Sequence, residues 1–286
     1  MVPMKLLTKA LAAGGAAATV LATLSARRQR RAAERQIRTI ATSLQANLLP
    51  RGLDELAGVD IAVRYEAGME HAHVGGDWCD AFPVGDQRVM LTVGDVSGHG
   101  VAALVTMAGI LPSIRAHALT DSDPASILDR LHVQLRQTGD SLLCTACIVR
   151  LDLVDGTAEM AVAGHPPAIV LAAEGGSQIV DGTSGVLLGP DVDVEHDVHR
   201  FELGRCETLA LYSDGLVERR GEVIDTGIGR LRRVLEGATG TVDEMVHQVF
   251  DDLVREGPAQ EDDAVLLLCR RGGGCPPEDG SSGSTG

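Results

Sequence analysis

Aspartates in this sequence stand where apolar runs begin or end. Asp77 follows Val74-Gly75-Gly76, and Asp95 closes the run Met90 to Gly94 and opens Val96-Ser97-Gly98-His99-Gly100. Asp214 lies between Leu209-Ala210-Leu211-Tyr212-Ser213 and Gly215, while Asp262 and Asp263 lead into Val265 to Leu268. A strand end is a rigid mount, and an adjoining glycine lets the backbone turn tightly enough to bring a carboxylate and a main-chain carbonyl to one ion. Hard oxygen donors of this kind suit Mg²⁺ or Mn²⁺. Any one Asp-Gly is an ordinary turn, so the chemistry requires that all of them converge. Carboxylates brought within about 5 Å of one another repel by several kcal/mol at an intermediate dielectric, and one or two divalent cations remove that conflict. Two such ions about 3.5 to 4 Å apart can polarise phosphoryl oxygens and supply hydroxide near neutral pH, with no cysteine nucleophile.

Short apolar runs bounded by turn residues have to position these aspartates. Val59 to Val63, Val89 to Val93, Leu142 to Leu153, Thr157 to Val162 and Ala168 to Ala172 read as strands. Longer helical patterns cover His99 to Leu119, Pro124 to Gln137, Gly227 to Leu235 and Val242 to Arg255, the last two with apolar residues at helical intervals. Strand clusters broken by helix pairs predict an α+β layered domain rather than regular βαβ winding. Ahead of that domain, Ile37, Ile40, Leu44 and Leu48 make one apolar stripe, so residues 27–50 are expected as an amphipathic linker helix stopped at Pro50-Arg51-Gly52. Such a helix suits a homodimer contact as well as packing on its own domain.

Ala10 to Ala26 carries no charge, yet about 17 residues at about 1.5 Å rise fall short of a bilayer core. Leu6 and Leu7 extend the run if Lys9 snorkels. Residues 1–26 are therefore expected as a membrane anchor through residues 6–26 or as an apolar helix, since Leu24-Ser25-Ala26 followed by arginines is a poor cleavage signal. In a spanning segment, Arg27, Arg28, Arg30, Arg31, Arg35 and Arg38 outweigh Lys5 and Lys9 and place the remainder in the cytoplasm. Residues 272–286, mostly Gly, Ser and Pro, read as a disordered tail. The catalytic candidate is thus residues 51–271.

Composition excludes several classes. With 286 residues, 44% of them hydrophobic, the chain can bury one large core and is not a mainly disordered protein. Aromatic residues are only 2%, which removes the stacking platforms of single-stranded nucleic-acid binders. A net charge of -15 repels phosphate backbones and favours metal cations or basic partners. Nucleic acid is accordingly not an expected partner. The six cysteines are too sparse for a secreted disulfide scaffold and suggest a reducing compartment. Cys144 and Cys147 have the gap of a zinc knuckle but no matching second pair, so they read as small buried residues.

Six segments in fixed order then carry a family resemblance. Leu44-Gln45-Ala46-Asn47-Leu48-Leu49-Pro50, Val74-Gly75-Gly76-Asp77-Trp78-Cys79-Asp80 and Gly94-Asp95-Val96-Ser97-Gly98-His99-Gly100 are the first three. Ala163-Gly164-His165-Pro166-Pro167, Leu211-Tyr212-Ser213-Asp214-Gly215-Leu216-Val217-Glu218 and Glu261-Asp262-Asp263-Ala264-Val265 complete the set. Together they resemble bacterial PP2C-type (PPM) serine/threonine phosphatases of the SpoIIE/RsbU-like sporulation and stress-response branch. The resemblance implies a four-layer αββα sandwich, two antiparallel sheets flanked by helices, with a two-metal site of Mn²⁺ or Mg²⁺ at one edge. It further implies hydrolysis of phosphoserine or phosphothreonine on an anti-anti-sigma-factor type (STAS) protein by metal-activated water.

Carried over residue by residue, Asp95 bridges both metals, Asp77 and the Val96 carbonyl serve one, and Asp214 with Asp262 serves the other. Asp263 is the second candidate of its pair, and turnover is expected to depend on Asp95 and Asp214. His99 is the candidate proton donor, against a plainer reading as a helix-start residue. His165 is a candidate substrate contact, against a hydrogen-bonded structural role. Cys79 stands where many members have an aromatic residue, the position of Ala264 often holds a small hydroxyl residue or methionine, and no phosphate-holding arginine can be assigned. The alternative function is a catalytically silent scaffold for a phosphorylated partner. Loss of a metal aspartate would mark it, and every matching aspartate is present.

Overall fold

Alternation at period two runs through the apolar segments, and each parity goes to a different layer. In the strand Ala264–Arg271, Val265, Leu267 and Cys269 join one buried cluster while Ala264, Leu266 and Leu268 join another. The first cluster is the core between two sheets, and the second lies between one sheet and its helices. Buried aliphatic side chains at about 1.5 to 3 kcal/mol each hold both layers.

The computed structural model describes residues 27–29, 56–66, 75–98, 100–138, 142–255 and 262–272. The chain divides into two units, residues 1–44 and 45–286. In the first, residues 27–29 are helical with exposed side chains. The anchor expected through residues 6–26, most of the 27–50 helix and the tail after residue 272 lie outside the described residues.

In the second unit the strands are β1 (Val59–Glu66), β2 (Trp78–Pro83), β3 (Arg88–Val96), β4 (Cys144–Asp152), β5 (Thr157–Ala163) and β6 (Ala168–Leu171). They continue as β7 (Ser177–Val180), β8 (Thr183–Ser184), β9 (His199–Glu202), β10 (Thr208–Tyr212) and β11 (Ala264–Arg271). One sheet has the order β1-β11-β10-β6-β7, and the other β2-β3-β4-β5-β8 with β9 also paired to β5. Neighbours are antiparallel apart from the short β5–β8 pairing. Helices α1 (Val101–Thr120) and α2 (Pro124–Thr138) pack on the second sheet, and α3 (Ile224–Gly237) and α4 (Val242–Arg255) on the first. The result is the expected αββα sandwich.

Helix α1 begins two residues later than its apolar pattern, because Gly98 and Gly100 take positive φ of 89° and 84° and turn the chain before it. By length and apolar composition α1 alone among the described helices could cross a membrane. It instead buries Ala103, Leu104, Met107, Ile110, Leu111, Ile114 and Ala118 within the domain. Strand β2 was not expected from the pattern, since Asp80 interrupts its apolar residues. A bidentate pair resolves that interruption: Arg115 Nε and Nη2 of α1 each donate to Asp80 at 2.7 Å. Cys79, Cys144, Cys147 and Cys269 are buried free thiols, and for Cys144 and Cys147 this is the burial read from the sequence. Cys206 is disulfide-bonded.

Candidate metal centre

The site forms where inward-facing parity outlasts the apolar core. Cys79 and Ala81 on β2, Val89, Leu91 and Val93 on β3, Leu209 and Leu211 on β10, and Val265 and Leu267 on β11 all face the core between the sheets. Two residues beyond each run, at one edge of the sandwich, the same parity reaches Asp77, Asp95, Ser213 and Asp263. The pairings Trp78 with Gly94 and Asp95 with Thr145 align the second sheet's contribution. Trp78 is 1% exposed and lies across Gly94, where an added Cβ would meet its ring at 2.2 Å.

Asp77, Asp95 and Asp214 each offer an oxygen, and these three atoms lie within 4.8 Å of one another. Asp77 is buried, whereas Asp95 and Asp214 are half-buried at the opening. Burial, then the neighbouring Asp95, raises the Asp77 carboxyl well above the usual carboxylate range, although Ser213 donates to it at 2.6 Å. Burial, then Asp214, pushes Asp95 up to about 7. Asp214 is raised by burial and next by Asp262. Three carboxylates that each resist ionisation in the others' presence form a donor set that a hard divalent cation satisfies. The residues therefore fit Mg²⁺ or Mn²⁺.

The Val96 carbonyl and Asp95 Oδ1 both lie close against Gly76. Val96 N donates to Gly76 O at 3.2 Å, and a Cβ on Gly76 would fall 2.2 Å from Val96 O. Only a residue without a side chain lets that carbonyl approach. Asp262 is exposed and close enough to raise Asp95 and Asp214, though it is not one of the three converging groups. Asp263 is buried and accepts a hydrogen bond from Tyr65 Oη, while its amide donates to Asp262 Oδ1 at 2.9 Å. Gly215 is required beside it, since a Cβ there would lie 1.9 Å from the Asp263 carbonyl.

The two histidines fare differently. His99 lies outside the described residues. His165 is 4% exposed, with Nε2 donating to the Tyr212 carbonyl at 3.0 Å and Nδ1 accepting from Thr145 Oγ1 at 2.9 Å. Both ring nitrogens are engaged, and burial lowers its pKa to about 4. That geometry favours the hydrogen-bonded structural role read from the sequence: the ring bridges β4 and the end of β10. Ser213 and Tyr65 were not singled out from the sequence. Their signal was strand parity, which places both on the inward face.

Two antiparallel sheets, outer helix pairs and an acidic cluster at one edge define a PP2C-type domain. The chain belongs to the SpoIIE family, whose model, Stage II sporulation protein E (SpoIIE), matches residues 85–272. Phosphoserine phosphatase RsbU of Bacillus subtilis is 23% identical over 218 residues, covering 76% of this chain and 64% of that protein. The solved RsbU and RsbW domains of Rv1364c from Mycobacterium tuberculosis superpose with a TM-score of 0.66 at 27% identity, covering 77% of this chain and 61% of that one. The SiaA-PP2C domain of Pseudomonas aeruginosa superposes with a TM-score of 0.69 at 17% identity, covering 85% and 97%, which shows the shared fold. The chain spans less than two thirds of the length of the curated relatives it matches.

Proposed function

We propose that this protein is a metal-dependent phosphoprotein phosphatase that hydrolyses phosphoserine or phosphothreonine. The observation that carries this reading is the convergence of Asp77, Asp95 and Asp214 within 4.8 Å at the sandwich edge. We assign Asp95 to both cations, Asp77 and the Val96 carbonyl to one, and Asp214 with Asp262 to the other. Asp263, already engaged by Tyr65, supports the cluster from behind. A bound pair of cations lowers the pKa of coordinated water and withdraws charge from phosphoryl oxygens. The chain's own part is to hold the acidic oxygens rigidly at strand ends, with buried Trp78 beside Asp77 shielding the site, and to leave Asp95 and Asp214 partly exposed. Without cations this cluster repels a phosphate dianion, so substrate binding itself depends on metal.

The substrate reading is a phosphorylated anti-anti-sigma-factor type (STAS) protein. Its support is the relatives' printed names: RsbU and RsbP of Bacillus subtilis are phosphoserine phosphatases, and the Mycobacterium tuberculosis structure holds RsbU and RsbW domains together. A solved RsbX carries magnesium, in line with the hard-ion assignment. We further place the domain in the cytoplasm, tethered through residues 6–26 and dimerised through residues 27–50; membrane fractionation and sedimentation of the full chain test these two points. The central test is hydrolysis of an aryl phosphate with Mn²⁺, with Mg²⁺ and with EDTA. Metal-dependent turnover abolished by Asp95→Asn and by Asp214→Asn, in variants that stay folded, is the expected result. Equal turnover in EDTA would overturn the reading, and a preference for small phosphoesters over phosphopeptides would overturn its protein substrate.

A further inference from the structure

Ser213 joins the two sheets at the acidic cluster. It directly follows β10 in one sheet, while Asp77 leads into β2 in the other, and 136 residues separate them in sequence. The hydroxyl is 0% exposed and donates its proton to Asp77 Oδ2 at 2.6 Å, a short O–H···O bond. The same oxygen accepts from Val265 N at 2.9 Å, and Ser213 N donates to the Val265 carbonyl at 3.1 Å. Held by β11 on both sides, the hydroxyl has one proton to give and one direction in which to give it.

Resting on the phosphatase reading above, we propose that Ser213 is a positioning residue: a latch between the sheets that fixes the Asp77 carboxylate toward Asp95 and Asp214 and so sets the affinity of the cluster for divalent cation. A carboxylate at the head of a turn rotates about its side-chain bonds, and Gly75 and Gly76 before it add no side-chain bulk to stop it. The Ser213 bond removes that freedom before any ion arrives, which is how an outer partner of a metal ligand raises affinity.

The test is calorimetric titration of Mn²⁺ into the full-length protein after stripping with EDTA, for wild type, Ser213→Ala, Ser213→Cys, Ser213→Thr and Asp214→Asn. Melting of each metal-free variant controls for folding. Ser213→Ala is expected to weaken Mn²⁺ binding about tenfold or more, with Ser213→Thr, which keeps the hydroxyl, recovering most of the loss. Ser213→Cys keeps the size and offers only a weak donor, so it serves where the alanine variant fails to fold, with the same weakening expected. Wild-type affinity in whichever of these two folds, beside clear weakening in Asp214→Asn, overturns the latch and leaves the phosphatase reading standing. Failure of wild type to bind Mn²⁺, or no effect of Asp214→Asn, overturns that reading and the latch with it.

Discussion

Asp77 and His165 are buried and Asp95 half-buried, and burial acts on them in opposite senses. It raises the two carboxyls and lowers the imidazole, because in each case the charged form loses water. For His165 the folded pKa, about 4, lies below the ordinary 6.5. Its contribution to stability is therefore complete above pH about 6.5 and is lost as pH falls toward about 4, on the order of 3 kcal/mol in all. His165→Gln cannot take up that proton. The difference in melting temperature between wild type and this variant, measured in EDTA from pH 7.5 to 4, is expected to shrink steadily as pH falls; a difference independent of pH would refute the assignment. The sequence marked His165 through Gly164-His165-Pro166-Pro167 but left its role open. Its two partners, on different strands, favour the structural role.

At the scale of elements, glycines and one ion pair determine how the mounts are held. Gly76→Ala would press a methyl group to 2.2 Å from Val96 O and 2.7 Å from Asp95 Oδ1. A displacement of that size at the reacting centre is expected to lower turnover on the order of 100-fold, with a smaller loss of stability; steady-state kinetics at saturating Mn²⁺ and thermal melting separate the two effects. Arg115 ties α1 to β2 through Asp80 and stacks over Phe82 at 4.6 Å. Arg115→Met would leave Asp80, 3% exposed, without its counter-ion. Because the arginine is itself about half exposed, the expected cost is about 2 kcal/mol in a denaturant titration rather than the full value for a wholly buried pair. Helices α1 to α4 were legible as longer helical patterns, the last two from their 3.6-residue apolar spacing. Strand β2 was not, since Asp80 interrupts its apolar run, and β7, β8 and β9 were not, since they are only two to four residues long.

For the whole molecule, the domain joins two sheets whose acidic ends face each other at one edge, and in the proposed reading a cation relieves their repulsion. Binding to the folded state alone stabilises it by mass action, about 2.7 kcal/mol at a cation concentration of 100 times Kd. For a domain of this size that corresponds to a rise in melting temperature of about 5 to 10 °C. Scanning calorimetry with Mn²⁺ and with EDTA checks it, and Asp95→Asn is expected to remove most of the shift. An equal melting temperature with and without cation would count against the carboxylates as a metal centre.

From the sequence alone came the alternation that sorts side chains between layers, the helices that cover them, and the aspartates at strand ends. Each of these depends on neighbours a few residues away, so local periodicity carries them. Tertiary structure decided which oxygens meet: the approach of Asp77 to Asp214, the Ser213 bond across 136 residues, the engagement of Asp263 by Tyr65 and the exposure of Asp262 beside it. Those distances depend on how the two sheets stack and where their ends coincide. The aliphatic core sets that through packing between side chains far apart in the chain, and no short window of sequence contains it.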